Sequence, residues 1–148
     1  MEFTSSKSTD LKHAIILGCS LIGSLTASSL VDLGYKVSII DPDVATFTKL
    51  PKIKVDQGHI IPIIGNPDTL HEDFLKASIQ DSEVVMALSD SDTTNALSGQ
   101  FAKHLFHVEK VICLIENPAL NEMYEKLGLS TINTTTLATQ MLEQEIGN

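Results

Sequence analysis

Residues 13–30 read HAIILGCSLIGSLTASSL, and this stretch decides the fold. The apolar run from His13 to Leu17 is short enough for a buried strand, Gly18 and Gly23 bracket a tight loop, and Leu21 to Leu33 continue as a helix that Gly34 ends. A strand, a glycine loop and a helix in direct succession open a βαβ unit. In such a unit the backbone N–H groups of the loop and the positive end of the helix converge on one point, which suits an anion.

The loop falls one residue short of the G-x-G-x-x-G pattern that cradles a dinucleotide pyrophosphate, because Ser20 stands at the middle glycine. Gly18 permits the turn, and Gly23 lets the helix pack closely on the sheet. Serine is a small replacement that still offers a hydroxyl donor, so the ligand is either a displaced dinucleotide or a mononucleotide. The plainer alternative makes both glycines turn and packing residues only. Asp41 weighs against it: this residue ends the strand YKVSIID, 18 residues beyond Gly23, where a carboxylate accepts hydrogen bonds from adenosine ribose hydroxyls and repels a 2′-phosphate. The acid favours NAD, AMP, ADP or ATP over NADP.

Outward from the loop, short apolar runs alternate with longer amphipathic ones. Strands are expected near 13–17, 36–40, 59–64, 83–88, 110–115 and 130–132, with helices near 21–33, 70–77, 91–106, 118–127 and 136–146. This alternation predicts an α/β, Rossmann-like doubly wound parallel sheet of six strands in the order 3-2-1-4-5-6. Pro62 inside HIIPII lacks an N–H and fits only a sheet edge, which is where this order puts the third strand. Asn117 and Pro118 read as the cap and first residue of the fifth helix.

The chain of 148 residues suits one domain. Residues 1–11 are polar and aperiodic and read as a disordered leader, leaving 12–148 for the Rossmann-like domain. With 10 Lys and Arg against 19 Asp and Glu, the formal charge of −9 repels nucleic acid and anionic lipid surfaces, so neither is an expected partner. Cys19 and Cys113 form no CxxC, and no signal peptide is evident, which points to a reduced, cytoplasmic chain. The apolar runs VVMAL and VICLI fall far short of the roughly 18 residues that span a bilayer, so any membrane tie is expected to run through a partner.

Five segments in order carry a family resemblance: ILGCSLIGSLTASSL, VSIIDPD, IIGNPDT, VVMALSDSDTTN and VICLIENPALNEMYEKLGLSTI. Together they resemble the N-terminal nucleotide-binding (RCK or KTN) domain of TrkA-type potassium-uptake regulators, from about His13 to Ile146. The resemblance implies that Gly18, Cys19, Ser20, Leu21, Ile22 and Gly23 surround the phosphates of NAD(H), AMP, ADP or ATP. It implies that Asp41 holds the ribose, that Asn66 lies near the adenine, and that Ala87, Leu88, Ser89 and Asn95 line the other side of the crevice. Family members often carry Arg where this chain has Leu21 and a basic residue where it has Leu114, and Asn66 replaces the usual acid. The implied role is regulatory: a homodimer or higher ring assembly that senses a cytoplasmic nucleotide at the inner face of the membrane and biases a cation transporter subunit there.

Other constellations have simpler readings. His104 and His107 are spaced to share a metal, but no carboxylate or thiolate completes the set, and a helix-end role suits them better. SDSDTTN lacks the spacing of an EF-hand and reads as helix capping by Ser89 or Ser91. Cys19 beside a helix N-terminus is expected to have a lowered thiol pKa, yet it has no resolving cysteine, and Cys113 reads as core. Glu122, Glu125 and Lys126 read as a solvated face, with a subunit interface as the second reading.

Two functions compete. One is a non-enzymatic regulatory module for potassium transport, and the other is the cofactor-binding domain of an NAD-dependent oxidoreductase. Six strands and their helices reach Ile146 and leave no room for a substrate domain, and no His with Arg stands ready as acid/base and clamp. The regulatory reading is preferred. The chain also reads as either a stand-alone subunit or half of a longer protein with a second ligand domain.

Overall fold

The computed structural model describes residues 11–147. Of the leader expected at 1–11, all but Leu11 lies outside the described residues. Six strands, β1 (Lys12–Leu17), β2 (Tyr35–Asp41), β3 (Ile60–Ile64), β4 (Val84–Ala87), β5 (Lys110–Leu114) and β6 (Ser130–Ile132), form one sheet in the order β3-β2-β1-β4-β5-β6. Every pairing is parallel. The expected doubly wound topology is therefore the observed one. Pro62 sits on the edge strand β3 opposite Ile39, where its missing N–H costs no ladder bond on the open side.

The central strands are apolar on both faces because both faces are covered. Alternate residues point to opposite layers: Ile15 and Leu17 join one core with Phe74, Ile79 and Val85, while Ala14 and Ile16 join the other with Ala27, Val37 and Ile39. The second layer is roofed by α1 (Leu21–Asp32) and the short α2 (Lys52–Asp56), which supply Ala27, Leu30 and Val55. The first is roofed by α3 (Leu70–Lys76), α4 (Asp92–Gln100) and α5 (Pro118–Lys126).

End signals fall where the sequence puts them. Gly34 follows α1 with φ +95, a conformation that strains any side chain. Asn117 caps α5, its side-chain oxygen accepting from Ala119 N–H at 3.0 Å. Three features differ from expectation. The helix expected over 91–106 is α4 followed by a wider π turn over Phe101–Leu105, with Phe106 N–H reaching back to Phe101 C=O at 3.1 Å. A 3₁₀ segment over Val44–Lys49 and the helix α2 fill a stretch the sequence left blank. The last helix, α6 (Thr134–Gly147), starts two residues early because Asn133 caps it through Thr136 N–H at 2.9 Å.

No residue of α6 is buried. The helix is fixed at its root, where the Glu116 carboxylate accepts from Thr134 N–H at 2.7 Å and from Thr134 Oγ1 at 2.6 Å. No helix among the described residues is long and apolar enough to cross a membrane.

Candidate functional site

The site is built at the carboxyl ends of β1, β2 and β4, where the strand order reverses. Gly18 takes φ +99, and a Cβ there would come within 2.6 Å of the Ser89 backbone, so the glycine sets the close approach of the β1 and β4 loops. Its N–H donates to Ile40 C=O at 2.7 Å, and Leu88 N–H donates to Leu17 C=O at 2.7 Å. At Gly23 a Cβ would run into the Gly18 carbonyl oxygen. Both glycines are thus required by the path of the loop itself.

Ser20 is the N-cap of α1. Its hydroxyl accepts from Gly23 N–H at 3.1 Å and donates to Leu88 C=O at 2.7 Å, so the residue at the middle-glycine position clasps the helix start to the end of β4. Cys19 N–H is also engaged, by Asp41 Oδ2 at 2.8 Å, and Ser24 N–H by Ser20 C=O at 2.8 Å. The N–H groups of Leu21 and Ile22 have no acceptor among the described residues. Two donors at a helix N-terminus are therefore open to an anion.

Asp41 holds the loop as well as facing the crevice. Beside the bond to Cys19, its Oδ1 accepts from Asp43 N–H at 2.9 Å, and each oxygen keeps a second lone pair for another donor. Asn66 is exposed and caps the turn before α3, its side-chain oxygen accepting from Asp68 N–H at 2.9 Å. Beneath it lies Asp73, 2% exposed, which accepts from Asn66 N–H at 3.0 Å and from Thr69 Oγ1 at 2.8 Å.

The β4 side differs from expectation. Ala87, Leu88 and Asn95 are buried, Asn95 to 1% exposure, and of the four residues expected to line that wall only Ser89 borders the open crevice. Asn95 is occupied in full. Its Oδ1 accepts from Ser89 N–H at 2.9 Å and Ser89 Oγ at 2.7 Å, and its Nδ2 donates to Ser89 C=O at 2.9 Å and Leu114 C=O at 2.8 Å. It is a tie between the ends of β4 and β5. Ser91 caps α4 through Thr94 N–H at 3.2 Å, and the Asp92 carboxylate takes Glu116 N–H at 2.8 Å and Asn117 N–H at 2.9 Å.

Three cavities meet around the loop. One of about 410 Å³ is walled by Gly18, Cys19, Ser20, Asp41, Lys49 and Ser89, and opens beside a narrow one of about 60 Å³ that reaches Asn66 and Asp73. The third, about 350 Å³, lies beyond the start of α1 between Leu21, Leu114 and Glu116. A larger groove of about 760 Å³ sits at the opposite end of the sheet, by Tyr35, Lys103 and Lys110. It has neither the glycine loop nor the open donors of α1, so the site is assigned to the carboxyl end. Asp73 and Lys49 escaped the sequence reading: the first looks like an ordinary first-turn acid, and the second lies in a segment with no periodic signal.

Neither cysteine is activated. Burial, with the Asp41 carboxylate nearby, pushes the Cys19 thiol up, outweighing the hydrogen bond to Thr46 and the Lys49 charge, and its Sγ donates to Thr46 C=O at 3.4 Å. Burial likewise holds Cys113 up to about 12. The ring of His104 bonds Leu127 C=O at 3.0 Å, and among the described residues no three His, Cys, Asp or Glu side chains are grouped to hold a metal.

Residues 14–135 match the model of the TrkA-N domain family. The chain is 34% identical over 134 residues to the Trk system potassium uptake protein TrkA of Streptomyces coelicolor, an alignment covering 89% of this chain and 57% of that protein. It thus spans little more than half of that relative. Among solved structures, the NAD(P)-binding domain of an exopolyphosphatase-related protein from Archaeoglobus fulgidus superposes with a TM-score of 0.69 at 18% identity, covering 93% of this chain and 98% of that one. The Kef CTD of Shewanella denitrificans in its AMP-bound form gives a TM-score of 0.68 at 19% identity, covering 93% and 83%. At these identities the two structures speak for the fold alone. With the family model running from β1 to the root of α6, the chain belongs to the TrkA-N domain family.

Proposed function

We propose that this domain is a non-catalytic nucleotide sensor that controls a membrane potassium transporter or channel. Its ligand is NAD(H) or an adenine mononucleotide, AMP, ADP or ATP, held at the carboxyl ends of β1, β2 and β4. The observation that carries this reading is the pair of open N–H donors, Leu21 and Ile22, at the start of α1, with the Asp41 carboxylate on the adjoining cavity across Ser20 and Ser89. Donors at a helix start suit phosphate, and a carboxylate with free lone pairs suits ribose hydroxyls. Family membership and the Streptomyces relative support the potassium role, and the AMP-bound and NAD(P)-binding neighbours support the ligand class.

Control requires only that the ligand bind one arrangement of the assembly better than another, since equal affinity for both shifts nothing. A homodimer or ring is supported by α6, whose Leu137, Met141, Leu142 and Ile146 are exposed on a helix with no buried residue. In this reading the domain sits at the cytoplasmic face of the membrane, tied to it through the transporter. The test is calorimetry with NAD, NADH, AMP, ADP and ATP. Micromolar binding of at least one is expected, and binding of none overturns the reading. Hydride transfer to any added substrate would establish the oxidoreductase instead.

A further inference from the structure

The chain contains no arginine, so all ten of its Lys and Arg count are lysines. Around the loop the charges are mostly acidic: Asp41, Asp90, Asp92 and Glu116 border the cavities, with Asp73 below. Among the described residues lining the three cavities at this end, Lys49 is the one cationic side chain. A phosphate drawn into this crevice has a single full positive charge to meet.

Lys49 is held there by a closed ring of hydrogen bonds. Asp41 Oδ1 accepts from Asp43 N–H at 2.9 Å, and Asp43 Oδ1 in turn accepts from Ala45 N–H at 3.0 Å to cap the segment Val44–Lys49. Leu50 is buried and Phe47 packs against the same core layer, which fixes the end of the segment. From there Lys49 Nζ donates to Cys19 C=O at 3.2 Å, while Cys19 N–H returns to Asp41 Oδ2 at 2.8 Å. Lys52, Lys54 and Lys126 each have a carboxylate partner; Lys49 has none among the described residues. An ammonium has three donors, so two remain after the bond to Cys19.

We infer that Lys49 is the charged phosphate contact of this site. The inference rests on the nucleotide reading above and deepens it. Asp41 then takes the ribose on one side of the Cys19 peptide and Lys49 takes the attached phosphate on the other. The cavity at Leu21, Leu114 and Glu116 offers backbone donors but no cation, so the charged contact to the phosphate comes from the β2 side of the loop.

The experiment is calorimetry of the full chain with AMP, NAD and adenosine for the wild type, Lys49→Gln, Lys49→Arg and, as a surface control, Lys52→Gln. Loss of a charge-assisted bond predicts a fall of roughly tenfold or more in affinity for AMP and NAD in Lys49→Gln, with adenosine unchanged. Lys49→Arg restores most of the loss, and Lys52→Gln matches the wild type. An equal loss for adenosine and AMP would make Lys49 a prop for the loop and overturn the inference, as would unchanged AMP affinity in Lys49→Gln. A wild type that binds no adenine nucleotide overturns the reading of the site itself.

Discussion

Two loops leave the same end of the sheet in the same way, yet they are finished differently. Both β1–α1 and β4–α4 run from a parallel strand into a serine-capped helix, with Ser20 and Ser91 as the caps. In the β4 loop the buried Asn95 engages the backbone on both sides of Ser89, and Asp92 takes the N–H groups of Glu116 and Asn117. The first two N–H groups of each helix, Leu21 and Ile22 in α1 and Asp92 and Thr93 in α4, have no acceptor among the described residues, but α4 carries the Asp92 carboxylate in its first turn and α1 carries no acid there. Two equivalent crossings thus divide the work: one ties the frame through its own side chains and sets a carboxylate at its helix start, and the other leaves an acid-free helix start for an anion. Open N–H groups at a helix start suit an anion best where no carboxylate already stands in the first turn.

The largest effect is expected where the open loop depends on its backbone path. Gly23→Ala places a methyl against the Gly18 carbonyl and should cost roughly 4 kcal/mol or more, seen as a collapse of the thermal melt. A stable Gly23→Ala protein would show that the loop has slack. Next comes the closed loop: Asn95→Ala strips partners from Ser89 N–H, Ser89 C=O and Leu114 C=O, a loss of about 3 kcal/mol by chemical denaturation. If Asn95→Ala instead removes ligand binding at unchanged stability, the division between the loops fails.

Asp41→Asn sharpens the contrast from the ligand side. The amide oxygen can still accept from Cys19 N–H, but its NH2 then faces Asp43 N–H, donor against donor, so stability should fall by about 1–2 kcal/mol while affinity for an adenine nucleotide drops about tenfold by calorimetry. The smallest change is Ser20→Gly, which restores the middle glycine. It removes the bonds to Gly23 N–H and Leu88 C=O at a cost of about 1 kcal/mol, and it should raise affinity for NAD relative to AMP by letting the pyrophosphate closer. An unchanged NAD to AMP ratio would mean that Ser20 does not limit the approach.

The frame of this molecule was legible because its signals are local and repeated. Six apolar runs of strand length, Gly34 and Asn117 at helix ends, and Pro62 on an edge each carry their meaning in a few neighbouring residues. The π turn at Phe101–Leu105 was not legible, since the apolar spacing of a helix runs through it without interruption. The segment from Val44 to Asp56 is too short and too broken by Pro51 to show a period, which hid Lys49. Asn95 shows the deeper difficulty. A polar residue a few positions after a strand reads as a ligand contact, and only its tertiary neighbours reveal that its donors and acceptors are already taken.

The attachment of α6 has a mechanical consequence. Its root, Thr134, is gripped by Glu116, and both residues belong to the wall of the cavity beside the start of α1. Fourteen residues of helix extend from that grip with nothing buried along them. At about 1.5 Å of rise per residue the arm is about 21 Å long, so a tilt of about 10° at the root carries the far end about 4 Å. The crevice wall and the helix form a lever with a short arm inside the protein and a long one outside it.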